Sequence, residues 1–276
     1  MIPKTGRFLV CLILIVNLFG CSTAIQESPS QPSATPSAEN SISNSAKENE
    51  LISNIEDDSN SYPEPASIPA ELSLLFFHTN GSKGWFIYGS QENPDILYSF
   101  YSDDEGASWT SEELALSKDL GQKINKENLF VSIPENEDTM LWVMITSDPA
   151  MGLMTKQLYN ATTDFQSWSL VADVSSTVDG YVTGVTFLDN LEGWITASYH
   201  GEVPVPLYRT KDGGKSWELQ KIDVPEEYNY GNVYPPVFEN KDSKTGSLEI
   251  EFVGDKKTQV LEYRTVDSGQ SWEENR

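Results

Sequence analysis

The chain has 276 residues, with 42 Asp and Glu against 18 Lys and Arg, which gives a net charge of −24. This acidic balance excludes nucleic acid as a partner, because affinity for phosphate backbones comes chiefly from Lys and Arg. The two cysteines are Cys11, which lies inside an apolar N-terminal run, and Cys21. A mature chain without Cys11 has neither a disulfide nor a cysteine zinc site, so we expect packing to hold the fold.

The N-terminus has the pattern of an export signal. Lys4 and Arg7 precede an apolar stretch over residues 8–19, which is shorter than the roughly 20 residues that cross a bilayer. The stretch ends in Gly20-Cys21, which resembles a bacterial lipobox. The resemblance implies a lipoprotein signal peptide over residues 1–20, a lipid on Cys21, and attachment to the extracytoplasmic face of the cell membrane through that lipid alone. An unmodified cysteine in an ordinary signal peptide is the alternative.

The next segment is predicted to be a tether. Residues 22–69 contain twelve Ser and six Pro but no Trp or Phe. Such a composition buries too little apolar surface to offset the entropy of ordering. We therefore expect residues 21–69 to be a disordered linker and residues 70–276 to form the folded domain.

A repeat begins beyond residue 70. Residues 102–109, 210–217 and 265–272 share an eight-residue template, and residues 162–168 form a shorter copy without its glycine. A second landmark precedes each copy: Gly84-Trp85, Leu141-Trp142 and Gly193-Trp194, with Leu248-Glu249-Ile250 assigned to that place in the last unit.

The template predicts a tight hairpin turn. Its Asp can accept backbone N–H bonds, its Gly can supply a positive φ, and its Ser or Thr can tie the turn together. The Trp that follows enters the next strand and can pack on a neighbouring unit. The residues assigned to this structural role are Ser102, Asp104, Gly106, Trp109, Asp164, Trp168, Thr210, Asp212, Gly214, Trp217, Thr265, Asp267, Gly269 and Trp272.

These turns resemble the Asp-box, or BNR repeat, of sialidase-like β-propellers, and the Gly-Trp landmark resembles that of photosystem assembly-factor-like propellers. Apolar alternation indicates four strands in each unit. We therefore predict an all-β chain, a small β-propeller of about four four-stranded antiparallel blades, near residues 72–116, 128–174, 181–224 and 236–276. A closed ring and an open arc both remain possible.

Catalysis is not expected from the sequence. The sialidase resemblance implies three arginines around a substrate carboxylate, whereas the chain has four in all: Arg7, Arg209, Arg264 and Arg276. Two of these, Arg209 and Arg264, precede a box threonine in the same way, which favours framework roles. No catalytic residue, metal site or cofactor is predicted. The alternative is a glycoside hydrolase on the same scaffold, since that reaction needs only two suitably spaced carboxylates.

Binding is the predicted function, by a surface module that recognises a glycan or protein of the cell envelope. The connections between blades lie at the end of the propeller opposite the boxes. Tyrosines there could stack on sugar rings or a peptide, or could simply seal the seam between two blades. Weak calcium binding by acidic loops is a third possibility. The candidate ligand-binding residues are Tyr228, Tyr230, Tyr234 and His200.

Overall fold

The computed structural model describes residues 62–66, 68–116, 120, 123–134, 140–150, 153–198, 204–239 and 244–275. This part of the chain is built of strands and loops, with one 3₁₀ helix, Lys126–Asn128. The strands are β1 (Leu72–Asn80), β2 (Lys83–Ser90), β3 (Ile96–Ser102), β4 (Thr110–Ala115), β5 (Leu129–Ser132), β6 (Met140–Thr146), β7 (Lys156–Thr162), β8 (Trp168–Asp173), β9 (Tyr181–Phe187), β10 (Gly193–Ser198), β11 (Leu207–Thr210), β12 (Glu218–Leu219), β13 (Tyr230–Val233), β14 (Val237–Glu239), β15 (Thr245–Val253), β16 (Thr258–Thr265) and β17 (Glu273–Glu274).

The strands form four antiparallel sheets, which are the blades. Three run in sequence order, as β1 to β4, β5 to β8 and β9 to β12. In the fourth, β13 and β14 both pair with β15, which continues to β16 and β17. Pro235 and Pro236 separate β13 from β14, and proline cannot donate to a ladder, so the two are one interrupted first strand. The prediction of four four-stranded blades in a β-propeller is confirmed, and the fourth blade starts at Tyr230.

Three seams hold the blades together, each a buried cluster shared by two successive blades. The second seam, for example, packs Trp142 and Leu158 of the second blade against Phe187 and Ile195 of the third. Corresponding clusters join the first blade to the second and the third to the fourth. Among the residues that the structure describes, no such cluster joins the fourth blade to the first. The described blades are therefore joined in series, each to the next through one buried cluster.

The box turns have the geometry that their residues favour. In the third blade, the Thr210 hydroxyl donates to Asp212 Oδ1 at 2.8 Å and accepts from the Gly214 amide at 2.9 Å, while the Ser216 amide donates to Asp212 Oδ1 at 2.9 Å. The first and fourth boxes repeat these bonds. Gly214 has a φ of 91°. Each turn is thus closed by its own side chains.

The short second box uses a different residue at the bend. Phe165 takes a positive φ of 58°, and its buried ring stacks on Trp168 with centroids 5.3 Å apart. A glycine would adopt this backbone conformation more easily, but at Phe165 it is stabilised by packing of the ring in the first seam.

The landmark of the last blade needs correction. In the first and third blades the landmark glycine pairs with the first residue of the box, as Gly193 does with Thr210. By the same register Gly246 pairs with Thr265, so Ser247 stands where the other blades have tryptophan. The proposed Leu248-Glu249-Ile250 slot is out of register, because spacing alone does not reveal which face a strand residue occupies.

The N-terminal predictions fall mostly outside the described residues, including the signal peptide and Cys21. Within the described ranges, no helix has the length and apolar character needed to cross a bilayer. Residues 62–65 lie against the first blade, where Tyr62 contacts Trp109 and Pro65 is buried. Packed structure therefore extends before residue 70.

Candidate functional site

The propeller has two ends with different contents. At the lower end, the box turns bond to the loops that join the first two strands of each blade: Gly213 N donates to Leu191 O, and Ser268 N donates to Lys244 O. The upper end carries the connections between blades. Since the box side chains are engaged in closing their own turns, the upper end is the better place to seek a site.

Tyr228 lies at the upper end, but its side chain is buried. It is 7% exposed, its ring packs 5.5 Å from that of Phe252, and its hydroxyl donates to Gln259 Oε1 at 2.8 Å. Lys257 Nζ lies 4.6 Å from the ring centroid and bonds to Glu227 at 3.5 Å. This tyrosine seals the third seam, so the structure does not support stacking of a ligand on its ring.

The other predicted ligand residues are not gathered around Tyr228. Tyr230 and Tyr234 are half-buried at the beginning of β13 and just after it. Gly231 and Val233 line the third-seam side of β13, so alternation places Tyr230 on the opposite face. His200 lies outside the described residues. Tyr228 thus lies in the third seam and Tyr230 on the other face of β13, and ligand binding by these tyrosines stays a prediction.

A different set of polar groups meets at the top of the second seam. Thr146 pairs with Lys156 in the ladder between β6 and β7. The register between β5 and β6, continued by one residue, sets Asn128 opposite Thr146. All three are buried, and Asn128 Nδ2 donates to Oδ1 of the exposed Asp148 at 3.2 Å. We call Asn128, Thr146, Lys156 and Asp148 the upper-seam site.

Two buried oxygen atoms of the upper-seam site have no hydrogen-bond partner. They are Asn128 Oδ1, in a side chain 4% exposed, and Thr146 Oγ1, in a side chain that is fully buried. Leaving a buried polar atom without a partner costs about 1–3 kcal/mol. A hydrogen-bonding group that reached these atoms would remove the cost.

Lys156 closes one side of the site. Its side chain is 3% exposed, and Nζ donates to Val178 O at 2.9 Å and to Met154 O at 3.3 Å. Burial lowers the pKa of Lys156, and the charges of Asp179 and Asp173 act in the opposite direction. Because its donors are engaged by carbonyl groups of the seam, Lys156 does not present a free cation to a ligand.

The upper-seam site therefore combines buried polar atoms with carboxylates at the surface. Asp148 is bonded to Asn128, and the charges of Asp173 and Asp179 act on Lys156; all three carboxylates are exposed. Sequence reasoning missed Asn128 and Thr146. Neither residue belongs to a motif, and their unpartnered atoms result from packing that a single sequence does not display.

The described part of the chain has no group of three or more His, Cys, Asp or Glu residues that could hold a metal ion. Arg209 bonds to Glu192 at 2.9 Å and lies over the Trp194 ring, while Arg264 bonds to Glu262 at 3.2 Å. These two arginines are paired on different blades, so they do not form a carboxylate clamp together.

Comparisons with known proteins show the fold alone. No protein-family model and no curated protein matches the chain. Among solved structures, it is similar to the Niastella koreensis GH74 enzyme, at 15% identity over 74% of this chain and 30% of that one, with a TM-score of 0.45. It is similar to Trypanosoma rangeli sialidase at 11% identity, over 78% and 40% of the two chains, with a TM-score of 0.43. For Penicillium chrysogenum α-L-arabinanase the values are 12%, 77% and 69%, with a TM-score of 0.44.

These comparisons correct one prediction from the sequence. The chain was expected not to be an enzyme, whereas the solved structures that it resembles are carbohydrate-active enzymes. The expectation is therefore withdrawn. The chain spans less than half the length of the GH74 enzyme and the sialidase, and the likeness assigns no catalytic residue to it.

Proposed function

We propose that this protein recognises a glycan through the upper-seam site. The observation that carries the proposal is the pair of buried, unpartnered oxygen atoms, Asn128 Oδ1 and Thr146 Oγ1. Sugar hydroxyls both donate and accept hydrogen bonds. A sugar bound at the exposed Asp148 carboxylate would satisfy these two atoms as well if the top of the seam opens to admit one of its hydroxyls. The predicted tyrosine site is a weaker alternative, because Tyr228 is already committed to packing.

Cleavage of the bound glycan is the second candidate function. Glycoside hydrolysis uses two carboxyl groups on either side of the scissile bond. Asp148 is bonded to Asn128, the charge of Asp179 acts on Lys156, and both carboxylates are exposed, which favours this site over other acidic residues of the chain. The carbohydrate-active enzymes of similar fold make hydrolysis worth testing, although the proposal rests on the geometry of the site.

The place of action is part of the proposal. A lipid on Cys21 would hold the propeller at the extracytoplasmic face of a bacterial membrane, and the linker would let it reach envelope glycans. The acidic chain would be repelled by an anionic lipid surface, so contact with the membrane is expected only through the lipid.

Binding is tested with two site variants and one matched control. The full chain and its Asn128→Ala, Thr146→Val and Thr196→Val variants are screened against envelope polysaccharides and oligosaccharides by calorimetry. Thr196 is also fully buried on a strand, but its hydroxyl is already bonded to Gly184 O at 3.3 Å. We expect each site variant to bind at least about tenfold more weakly, the equivalent of one hydrogen bond, while Thr196→Val binds normally.

Unchanged binding by both site variants would refute recognition at the upper-seam site. Turnover is measured separately, by release of reducing ends from whichever glycan binds. If Asp148→Asn and Asp179→Asn retain binding and lose turnover, the second candidate is supported. Binding without turnover by the unmodified chain rules that candidate out for the glycan concerned.

A further inference from the structure

The outward face of the fourth blade is an exposed sheet surface that carries several carboxylates. Leu248, Ile250 and Phe252 of β15 lie in the third seam, so alternation directs the residues between them to the opposite side. That side is open to solvent, since Val237 is 62% and Val260 is 40% exposed, and no buried cluster of the described residues covers it. The charged side chains that the structure places on this face are Glu239, Glu249, Glu251, Glu262, Glu273 and Arg264.

The negative charge of this face is only partly compensated within the fold. Its one cation is Arg264, whose Nε donates to Glu262 Oε1 at 3.2 Å. Glu251 accepts from Asn232 Nδ2 at 3.1 Å. The exposed side chain of Glu249 has no hydrogen-bond or ion-pair partner in the part of the chain that the structure describes. The face therefore has carboxylate charge available to a partner.

Glu249 also belongs to a cross-strand pair of like charge. It lies directly opposite Glu262 in the ladder between β15 and β16, which places the two Cβ atoms about 4.5–5.5 Å apart and destabilises the pair. Arg264 and Asn275 both bond to Glu262, so the existing donors serve only one of the two carboxylates. A cation supplied by a partner would relieve a repulsion that the fold leaves in place.

The charge of the face limits which partner can cover it. Nucleic acid and an anionic lipid surface would be repelled, as would a second copy of this chain, whose net charge is −24. A cationic surface would be attracted. Val260 stands opposite Glu251 in the ladder, so the methylene groups of a Lys or Arg side chain can pack on the valine while the charged end reaches the carboxylate.

We propose that the outward face of the fourth blade is a docking surface for an extended, basic segment of a partner protein, with Lys or Arg at alternate positions. Glu249 and Glu251 are two residues apart on one strand, which separates their Cα atoms by about 6.8 Å. Side chains at positions i and i+2 of an extended segment have the same spacing, so two cations of the partner meet the two carboxylates in register. This surface is separate from the upper-seam site, and it adds protein binding to glycan recognition.

The experiment compares two double variants that have the same net charge. A fluorescent peptide of sequence Gly-Lys-Thr-Lys-Thr-Lys-Gly is titrated into the full chain and the variants, and anisotropy is followed. Glu249→Gln/Glu251→Gln removes two carboxylates of the face, whereas Glu112→Gln/Glu113→Gln removes two exposed carboxylates of β4. We expect the first variant to bind the peptide about fivefold to tenfold more weakly, as the loss of two surface ion pairs implies. The second should bind within about twofold of the unmodified chain.

Two further probes decide what kind of partner the face accepts. A peptide with every lysine acetylated has lost its charge and should not bind. The proposal is overturned if the unmodified chain binds the lysine peptide no better than the acetylated one. It is also overturned if both double variants, still cooperatively folded in urea titrations, lose affinity equally, since overall charge would then account for binding. Chitosan oligosaccharides test a cationic glycan; if they bind through Glu249 and Glu251 while the lysine peptide does not bind, the occupant is not a protein segment and the proposal fails.

Discussion

Replacement of Thr146 by valine should stabilise the free protein. The two side chains have nearly the same shape, and Thr146 is fully buried with its hydroxyl unpartnered. Valine removes a desolvated hydroxyl whose cost is about 1–3 kcal/mol and adds a methyl group to the seam. In some molecules the Thr146 hydroxyl would bond to a water molecule, which lowers this cost. We therefore expect Thr146→Val to raise the free energy of unfolding by about 1 kcal/mol, near the lower end of that range.

The assay is reversible unfolding in urea, with calorimetry as a second measure. For a folded region of this size, 1 kcal/mol corresponds to a rise in Tm of roughly 2–4 °C. Thr196→Val is the control, because Thr196 accepts from the Thr183 hydroxyl at 2.9 Å and should lose about 1 kcal/mol when that bond is removed. A loss of stability in Thr146→Val as large as in the control would refute the reasoning, since it would mean that the Thr146 hydroxyl is fully satisfied without a ligand.

Two further predictions concern the box turns and the landmark tryptophans. Hydrogen bonds from Ser271 and Thr265 lower the pKa of Asp267 from 3.8 to about 2; the stabilisation is therefore present above pH 3.8 and is lost as the pH falls through about 2. Urea unfolding across this range should show a shallower pH dependence for Asp267→Asn, and an unchanged slope would contradict the assignment. Trp194→Ser should cost about 3–5 kcal/mol, because it empties a buried site between blades. Ser247→Trp, at the equivalent register on the outward face of the fourth blade, should change the free energy of unfolding by no more than about 0.5 kcal/mol. If Ser247→Trp lost as much stability as Trp194→Ser, the fourth blade would be packed against the first in a closed ring.

The fold was accessible from the sequence because its signals are local. The Asp, Gly and hydroxyl residues of a box all act within one turn, as Asp212, Gly214 and Thr210 do. Strand alternation and the repeated tryptophans then give the number of blades. The second box shows the limit of this reasoning, since the bend at Phe165 is stabilised by packing in the first seam rather than by a turn residue.

The upper-seam site was not accessible in the same way. Asn128, Thr146 and Lys156 come from three strands or their ends, and only the register brings them together. The tyrosines show a related limit: they are close in sequence, but Tyr228 lies in the third seam while alternation along β13 directs Tyr230 to the other face, and their binding role stays a prediction. Which polar atoms remain without partners depends on three-dimensional packing, and no local pattern encodes it.

The first and fourth blades present different outward surfaces, and this difference affects whether molecules can stack on one another. A head-to-tail contact, in which the fourth blade of one molecule stacks on the first blade of the next, would not close and could extend into a filament. The outward side of the fourth blade carries Glu249, Glu251 and Glu262, which such a contact would have to desolvate, and residues 62–65 already lie against the first blade. A row of carboxylates at one terminus thus works against polymerisation in the way that charged residues protect the exposed edges of sheets.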